Sequence, residues 1–198
     1  MFNILVEQFP LPEINIKEVL RYAAIKGTPD EHIQNVINEC ILEAGSAFTP
    51  KVCYTTLPSS EFYTLVPSSN ESMAIHSYLE GCDSVVMFAA TVGLEIDRLI
   101  HRYATISTVK ALFFQALGAE RIEALCDAFS SKLFKSAKES SFELKPRFSP
   151  GYGDFSIVAQ RELFSLLKPE RNIGLTLTDS LMMTPTKSVT AIIGLKTK

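Results

Sequence analysis

Residues 147–154 read RFSPGYGD, and several residue types in this stretch could do chemistry. Arg147 carries a planar fork of N–H donors that suits a carboxylate or a phosphate. Gly151 and Gly153 let the backbone take positive φ and let a ligand approach the main chain closely. Tyr152, between them, offers a hydroxyl and an aromatic face on which a cationic centre could sit. Pro150 stiffens the entry and pushes Ser149 towards extended backbone. Together these residues could hold a small zwitterion, its carboxylate on Arg147, its middle against the main chain and an aromatic ring nearby. They suit equally a plain structural turn with Arg147 in a surface ion pair. The spacing is neither G-x-G-x-x-G nor a phosphate-binding loop, so no nucleotide-phosphate motif is present.

Other residues are weaker candidates. Asp154 can cap the helix that follows the loop or touch a ligand. Lys187 and Ser188 fall in a loop near the C-terminus, where turn chemistry explains them as well. Thr91 and Gly93 stand between a strand-like run and a helix, a place where ligands bind in α/β units, although a simple cap explains them too. His32, His76 and His101 are isolated, with no metal-ligand spacing. The cysteines Cys40, Cys53, Cys82 and Cys126 form no C-x-x-C pair and sit in or beside apolar runs, as buried structural thiols do. No nucleophile–base pair is visible, so neither a catalytic residue nor a metal site is expected.

The elements that must position the loop follow from patterning. Asn15 can cap a helix over NIKEVLRYAAIKG, with Glu18 at capping-box spacing and Gly27 as a left-handed terminator. Thr28 and Pro29 open a second helix, whose apolar residues at 33, 36, 37, 40, 41 and 44 share one face. KVCYTTL and EFYTLVP read as strands, NESMAIHSYLEGC as a capped helix and SVVMFAAT as a buried strand. TVGLEIDRLIHRYA turns into a helix, and a long helix covers 107–138, where Gly118 bends it or permits close packing. FELKPRF is strand-like, SIVAQRELFSLLK helical, and GLTLTDSLMMTP with KSVTAIIGL predicts a hairpin. The expected fold is α+β: one domain over 1–198, its helical N-terminal part (about 13–48) packed with a mixed or antiparallel sheet.

Composition narrows the function class. Apolar residues make up 46% and charged ones 21%, a soluble globular mix. A net charge of −3 demands neither nucleic acid nor an anionic membrane as partner. Lys132, Lys135, Lys138 and Lys145 read as a solvated basic stripe. The N-terminal stretch lacks a basic region and carries Glu7, unlike a secretory leader, and SVVMFAATVGL is too short to span a bilayer. A cytoplasmic location is expected.

RFSPGYGD, followed by IGLTLTDSLMMTPTKSVTAIIGL, resembles the activation domain of cobalamin-dependent methionine synthase, most of all its free-standing versions. NIKEVLRYAAIKG, GCDSVVMFAATVGLEIDRLI and ALGAERIEALCD are similar to successive elements of those proteins, so the resemblance covers most of residues 13–195. It implies binding of S-adenosylmethionine, presented to an oxidised cobalamin that a partner protein carries. An electron from a flavodoxin-like donor gives cob(I)alamin, which takes the methyl group. The partner implied is a corrinoid-bearing methionine synthase, and the chain is a component of that methyltransferase system rather than a catalyst alone.

The resemblance also implies roles. Arg147 takes the methionine carboxylate, Ser149 faces the adenosine through its main chain, and Gly151 with Tyr152 matches the family's Gly-Tyr pair. Glu123 in IEALCD is the best match to a helix glutamate of the site, with Glu120 and Asp127 close in register. The sequence departs from the fused domains in having GDFSIVAQ after that pair, in ending at IIGLKTK, and in offering no match for their N-terminal aspartate. These departures keep two alternatives open: a non-catalytic module that docks on a corrinoid protein, and a reactivator of another corrinoid methyltransferase.

Overall fold

In the computed structural model, which describes residues 3–139 and 142–198, five antiparallel strands form one sheet between two helical layers. The strands are β1 (Leu5–Gln8), β2 (Lys51–Pro58), β3 (Ser84–Thr91), β4 (Phe142–Leu144) and β7 (Ser188–Thr197), in the order β1-β2-β3-β7-β4. Alternation along the strands decides the layers. Val86, Phe88 and Ala90 of β3 face one core with Ala191 and Ile193 of β7, while Val85, Met87 and Ala89 face the other with Ile192. Covered on both faces, β3 carries an unbroken apolar run instead of the usual alternation of an antiparallel strand.

On the first face lie α1 (Ile16–Tyr22), α2 (Glu31–Ala44), α5 (Glu95–Ile106) and α6 (Thr108–Glu139). The expected N-terminal helices thus share a core with the long helix. Ser107 separates α5 from α6: its backbone is extended, and its hydroxyl accepts from the Lys110 amide. On the second face lie α3 (Ser59–Leu65), α4 (Met73–Leu79), α7 (Ala159–Leu167) and α8 (Pro169–Ile173). Two short strands, β5 (Thr176–Leu177) and β6 (Met183–Thr184), pair separately. Among the described residues no helix is long and apolar enough to cross a membrane.

Several local expectations are corrected. EFYTLVP is not a strand: α3 and a 3-10 turn over Pro67–Ser69 occupy it, and its fully buried Phe62 and Val66 stand at i, i+4 on one helical face. The expected hairpin between GLTLTDSLMMTP and KSVTAIIGL does not form. The reversal falls inside the first run, at Leu181 with φ 64°, and β7 joins the central sheet instead. Helix α1 stops at Tyr22, with Ala24 left-handed, and α2 is capped by Asp30, which accepts from Ile33 N, not by Thr28. Strand β1 was not anticipated. It closes one sheet edge against β2, and its Glu7 accepts from Tyr54 Oη and pairs with Lys132. Lys132 is therefore tied to the sheet rather than part of a uniform solvated stripe; the side chain of Lys138 lies outside the described residues.

Candidate functional site

The site is assembled on one face of α6, where Glu120, Glu123 and Asp127 follow at i, i+3 and i+7. Their fates differ. Glu120 is 4% exposed and pairs with its neighbour Arg121, 3% exposed. Arg121 also donates to the carbonyls of Pro12 (2.6 Å) and Glu13 (3.1 Å), and Glu120 accepts from the Asn15 amide at 3.0 Å. The buried pair thus fastens the strap between β1 and α1 to the long helix. It also supplies the partner for the Asn15 amide that Glu18, paired instead with Arg21, was expected to provide. The prolines at 10 and 12 have no N–H for a sheet ladder, and Arg121 satisfies the carbonyls that the strap leaves over.

Glu123 and Asp127 remain on the surface and meet Arg147. Arg147 Nη2 lies 2.6 Å from Glu123 Oε2 and 3.1 Å from Asp127 Oδ1. Its Nη1 is buried and has no hydrogen-bond partner among the described residues, the guanidinium lying against the weakly bonding Cys126 thiol. Behind it, burial pushes the Cys126 thiol up to about 12, so that group stays neutral. The acidic face of α6, with the strap and α1, lines a groove of about 960 Å³. A second recess of about 630 Å³ holds Arg147, Lys135, Lys145 and Phe134 and adjoins the groove at Asp127 and Ser131.

A slip in strand register points Arg147 at α6. Leu144 is paired with Leu195 and Phe148 with Ile192. Three residues (145–147) therefore oppose two (193–194), which is a β-bulge. In a strand without a bulge, Leu144 and Phe148, four residues apart, would face the same side. Instead Leu144 joins the α6-side core and Phe148 the opposite core. Pro146 falls within the bulge, where its missing N–H costs the ladder nothing.

The glycine loop follows at once. Gly151 and Gly153 both take positive φ, 92° and 56°. The loop is closed by its own backbone: Gly151 N donates to Phe155 O at 2.8 Å, Tyr152 N to Ser149 O at 3.1 Å and Phe155 N to Tyr152 O at 2.9 Å. The amides of Gly151 and Tyr152 are thus already used within the loop. Tyr152 is 60% exposed and meets Phe148 edge-on at 6.0 Å. The structure accordingly brings Arg147 and Glu123 together and places Tyr152 on a residue of the opposite core, with half-buried Ser149 between.

Asp154 is also corrected. It caps α4, accepting from Ser72 Oγ (2.5 Å), Met73 N (2.9 Å) and Ala74 N (3.1 Å), rather than the helix that follows it in sequence. These bonds hold its carboxyl below the usual range, the Ser72 hydroxyl contributing most. Gly153 lets the loop approach: a Cβ there would lie 3.2 Å from Ala74 Cβ. Lys187 donates to Gln115 at 2.6 Å and lies across Gly118 on α6, which makes that glycine a close-packing position. The Ser188 hydroxyl lies 2.9 Å from Thr91 Oγ1 and 2.8 Å from the Pro185 carbonyl, a strand-end network apart from Arg147.

Sequence reasoning did not single out Tyr78 of α4. Its hydroxyl donates to Pro146 O at 2.7 Å and accepts from Gly194 N at 3.0 Å. Burial pushes this phenol up to about 12, so it remains a neutral donor. Its position in the helical run NESMAIHSYLEGC carried no signal of that role.

Comparison with known proteins follows the same outline. The family model described as vitamin B12 dependent methionine synthase, activation domain, matches residues 69–198. That span contains Glu123, Arg147, Ser149, Gly151 and Tyr152 and leaves out the strap, α1 and α2. A solved structure, the crystal structure of the MetH reactivation domain bound to AdoHcy, aligns with a TM-score of 0.66 at 17% identity, covering 98% of this chain and 78% of that one. At this identity the likeness establishes the α+β fold. A search of curated proteins finds no match.

Proposed function

The chain belongs to the activation-domain family of vitamin B12 dependent methionine synthase, and from that premise we propose that it binds S-adenosylmethionine and supports reductive methylation of oxidised cobalamin. The cobalamin is carried by a corrinoid-bearing methionine synthase, the electron comes from a flavodoxin-like donor, and the setting is cytoplasmic. The observation that carries this reading is the Arg147–Glu123 pair, which joins the groove, lined by Glu123, to the adjoining recess, lined by Arg147, with Arg147 Nη1 buried and unpartnered among the described residues.

The residues present fit such a ligand. An orphaned buried donor costs about 1–3 kcal/mol, which an arriving carboxylate relieves. Glu123 and Asp127 supply negative charge for the ligand's ammonium and sulfonium. When bound, S-adenosylmethionine supplies a methyl group on a positively charged sulfur. The chain's own task is to bind and orient it, with Arg147 on the carboxylate and Glu123 on the cationic centres; the protein needs no proton-transfer residue for this.

Isothermal titration and thermal shift with S-adenosylmethionine test the reading on wild type and Arg147→Ala. At about 100 times its dissociation constant the ligand adds roughly 2.7 kcal/mol, or on the order of 5–10 °C for a chain of this size. That shift is expected in wild type and lost in the variant, and the wild type is expected to restore inactivated methionine synthase when a reductant is present. The satisfied state of Arg147 Nη2, held by two carboxylates, favours a second reading, a docking module without ligand. A complex with the corrinoid partner that is indifferent to S-adenosylmethionine would establish that reading in place of the first.

A further inference from the structure

We infer that Tyr78, on the sheet face remote from the groove, is a positioning residue that holds Arg147 in its ligand-facing place by clipping the β-bulge at residues 145–147. The inference rests on the ligand reading above and deepens it.

A bulge leaves ladder groups without their ordinary partners. Here the Lys145 amide still reaches Gly194 O at 2.9 Å, and Phe148 and Ile192 exchange both bonds, at 2.9 and 2.8 Å. Between these points stand the Gly194 amide and the Pro146 carbonyl. The hydroxyl of Tyr78 serves both, accepting from one and donating to the other. One side chain thus replaces the ladder bond that the register slip removes, and it can do so only because a phenol is donor and acceptor at once.

The ring of Tyr78 completes the clip. It lies 5.0 Å from the Phe148 ring, tilted by 34°, and Lys145 Nζ stands 5.8 Å from its centroid while donating to Glu80 O at 3.1 Å. Tyr78 therefore meets the segment at 145, 146 and 148, while the Arg147 side chain turns to the other side, towards Glu123. Gly194 allows this close approach: a Cβ there would lie 2.8 Å from Cys82 Sγ, just beyond the end of α4. With its neighbours held at three positions, Arg147 is presented to Glu123 as the consequence of backbone geometry, not of its own flexible stem. Pre-organisation of this kind lowers the cost of ordering the guanidinium when a ligand arrives.

Tyr78→Phe tests this, because it keeps the ring and removes only the hydroxyl. Circular dichroism for the fold and titration with S-adenosylmethionine are made on wild type, Tyr78→Phe, Arg147→Lys and the double variant, and NMR of the Arg147 Nε–Hε group without ligand on wild type and Tyr78→Phe. The expected result is a folded Tyr78→Phe protein with roughly tenfold weaker binding and an averaged Arg147 side-chain signal. The loss should not add to that of Arg147→Lys, since both act through one guanidinium. Wild-type affinity in Tyr78→Phe, or full additivity in the double variant, would overturn the inference. A wild type that does not bind the ligand sinks the ligand reading instead, and the NMR signal then still decides whether Tyr78 holds Arg147. An Arg147 signal unchanged by Tyr78→Phe overturns the positioning role in either case.

Discussion

Arg147 and Glu123, 24 positions apart in the chain, meet at 2.6 Å where the edge of the sheet passes the long helix. Glu123 is 43% exposed on its side chain, so the pair is screened by solvent and contributes little to the fold. Glu123→Gln should therefore change stability by no more than about 1 kcal/mol while weakening S-adenosylmethionine binding roughly tenfold or more, since the ligand's cationic centres lose a carboxylate. Thermal melts and calorimetric titration of the same sample check both halves. Unchanged affinity would remove Glu123 from the site.

The Glu120–Arg121 pair behaves in the opposite way. Both members are buried, and removing Arg121 strands the Glu120 charge together with the carbonyls of Pro12 and Glu13. Arg121→Met should cost about 3–5 kcal/mol. Replacing both residues with leucine should cost less than that, because no unpaired charge remains. Denaturant titration of the two variants decides it.

Asp154 makes an acid-sensitive cap. Its carboxyl is held below its ordinary value of 3.8 by the hydroxyl and amides of α4. A depressed native pKa means that the contribution is fully present above the unfolded value and is lost as pH falls through the native one. Asp154→Asn should lower the melting temperature at pH 7 and show a shallower fall than wild type below about pH 4. Parallel curves for the two proteins between pH 3 and 6 would contradict this.

The four thiols should separate by burial. Cys40, Cys53 and Cys126 are fully buried, and burial pushes them up to about 11, 12 and 12. Cys82 is only partly covered. A thiol-reactive disulfide reagent at pH 8 should titrate one cysteine in the native protein and all four after unfolding. Cys82→Ser should abolish the native reaction.

Much of the scaffold is local and was legible from residues alone. The apolar run of β3, the helical period of α6 and the positive φ of Gly151 and Gly153 depend on neighbours within a few positions, and each was anticipated. A short segment such as EFYTLVP satisfies either period, and burial of Phe62 and Val66 against the sheet chose the helix. Asp154 carries a capping side chain in any context, but which helix it caps depends on what lies opposite in space.

The candidate site depends still more on distance. Charge and spacing made Glu120, Glu123 and Asp127 equivalent on one face of α6; the strap buries the first, and the register slip that points Arg147 at the helix engages the other two. That slip rests on a tyrosine from another helix supplying the hydrogen bonds that Pro146 and Gly194 cannot give each other. Residue types and local backbone preference are properties of short stretches, so the chain order already contains the loop, the arginine and the acids. Which of them meet is settled by hydrogen bonds and burial between segments 24 to 116 positions apart, and that information exists only once the sheet and its two helical layers have closed.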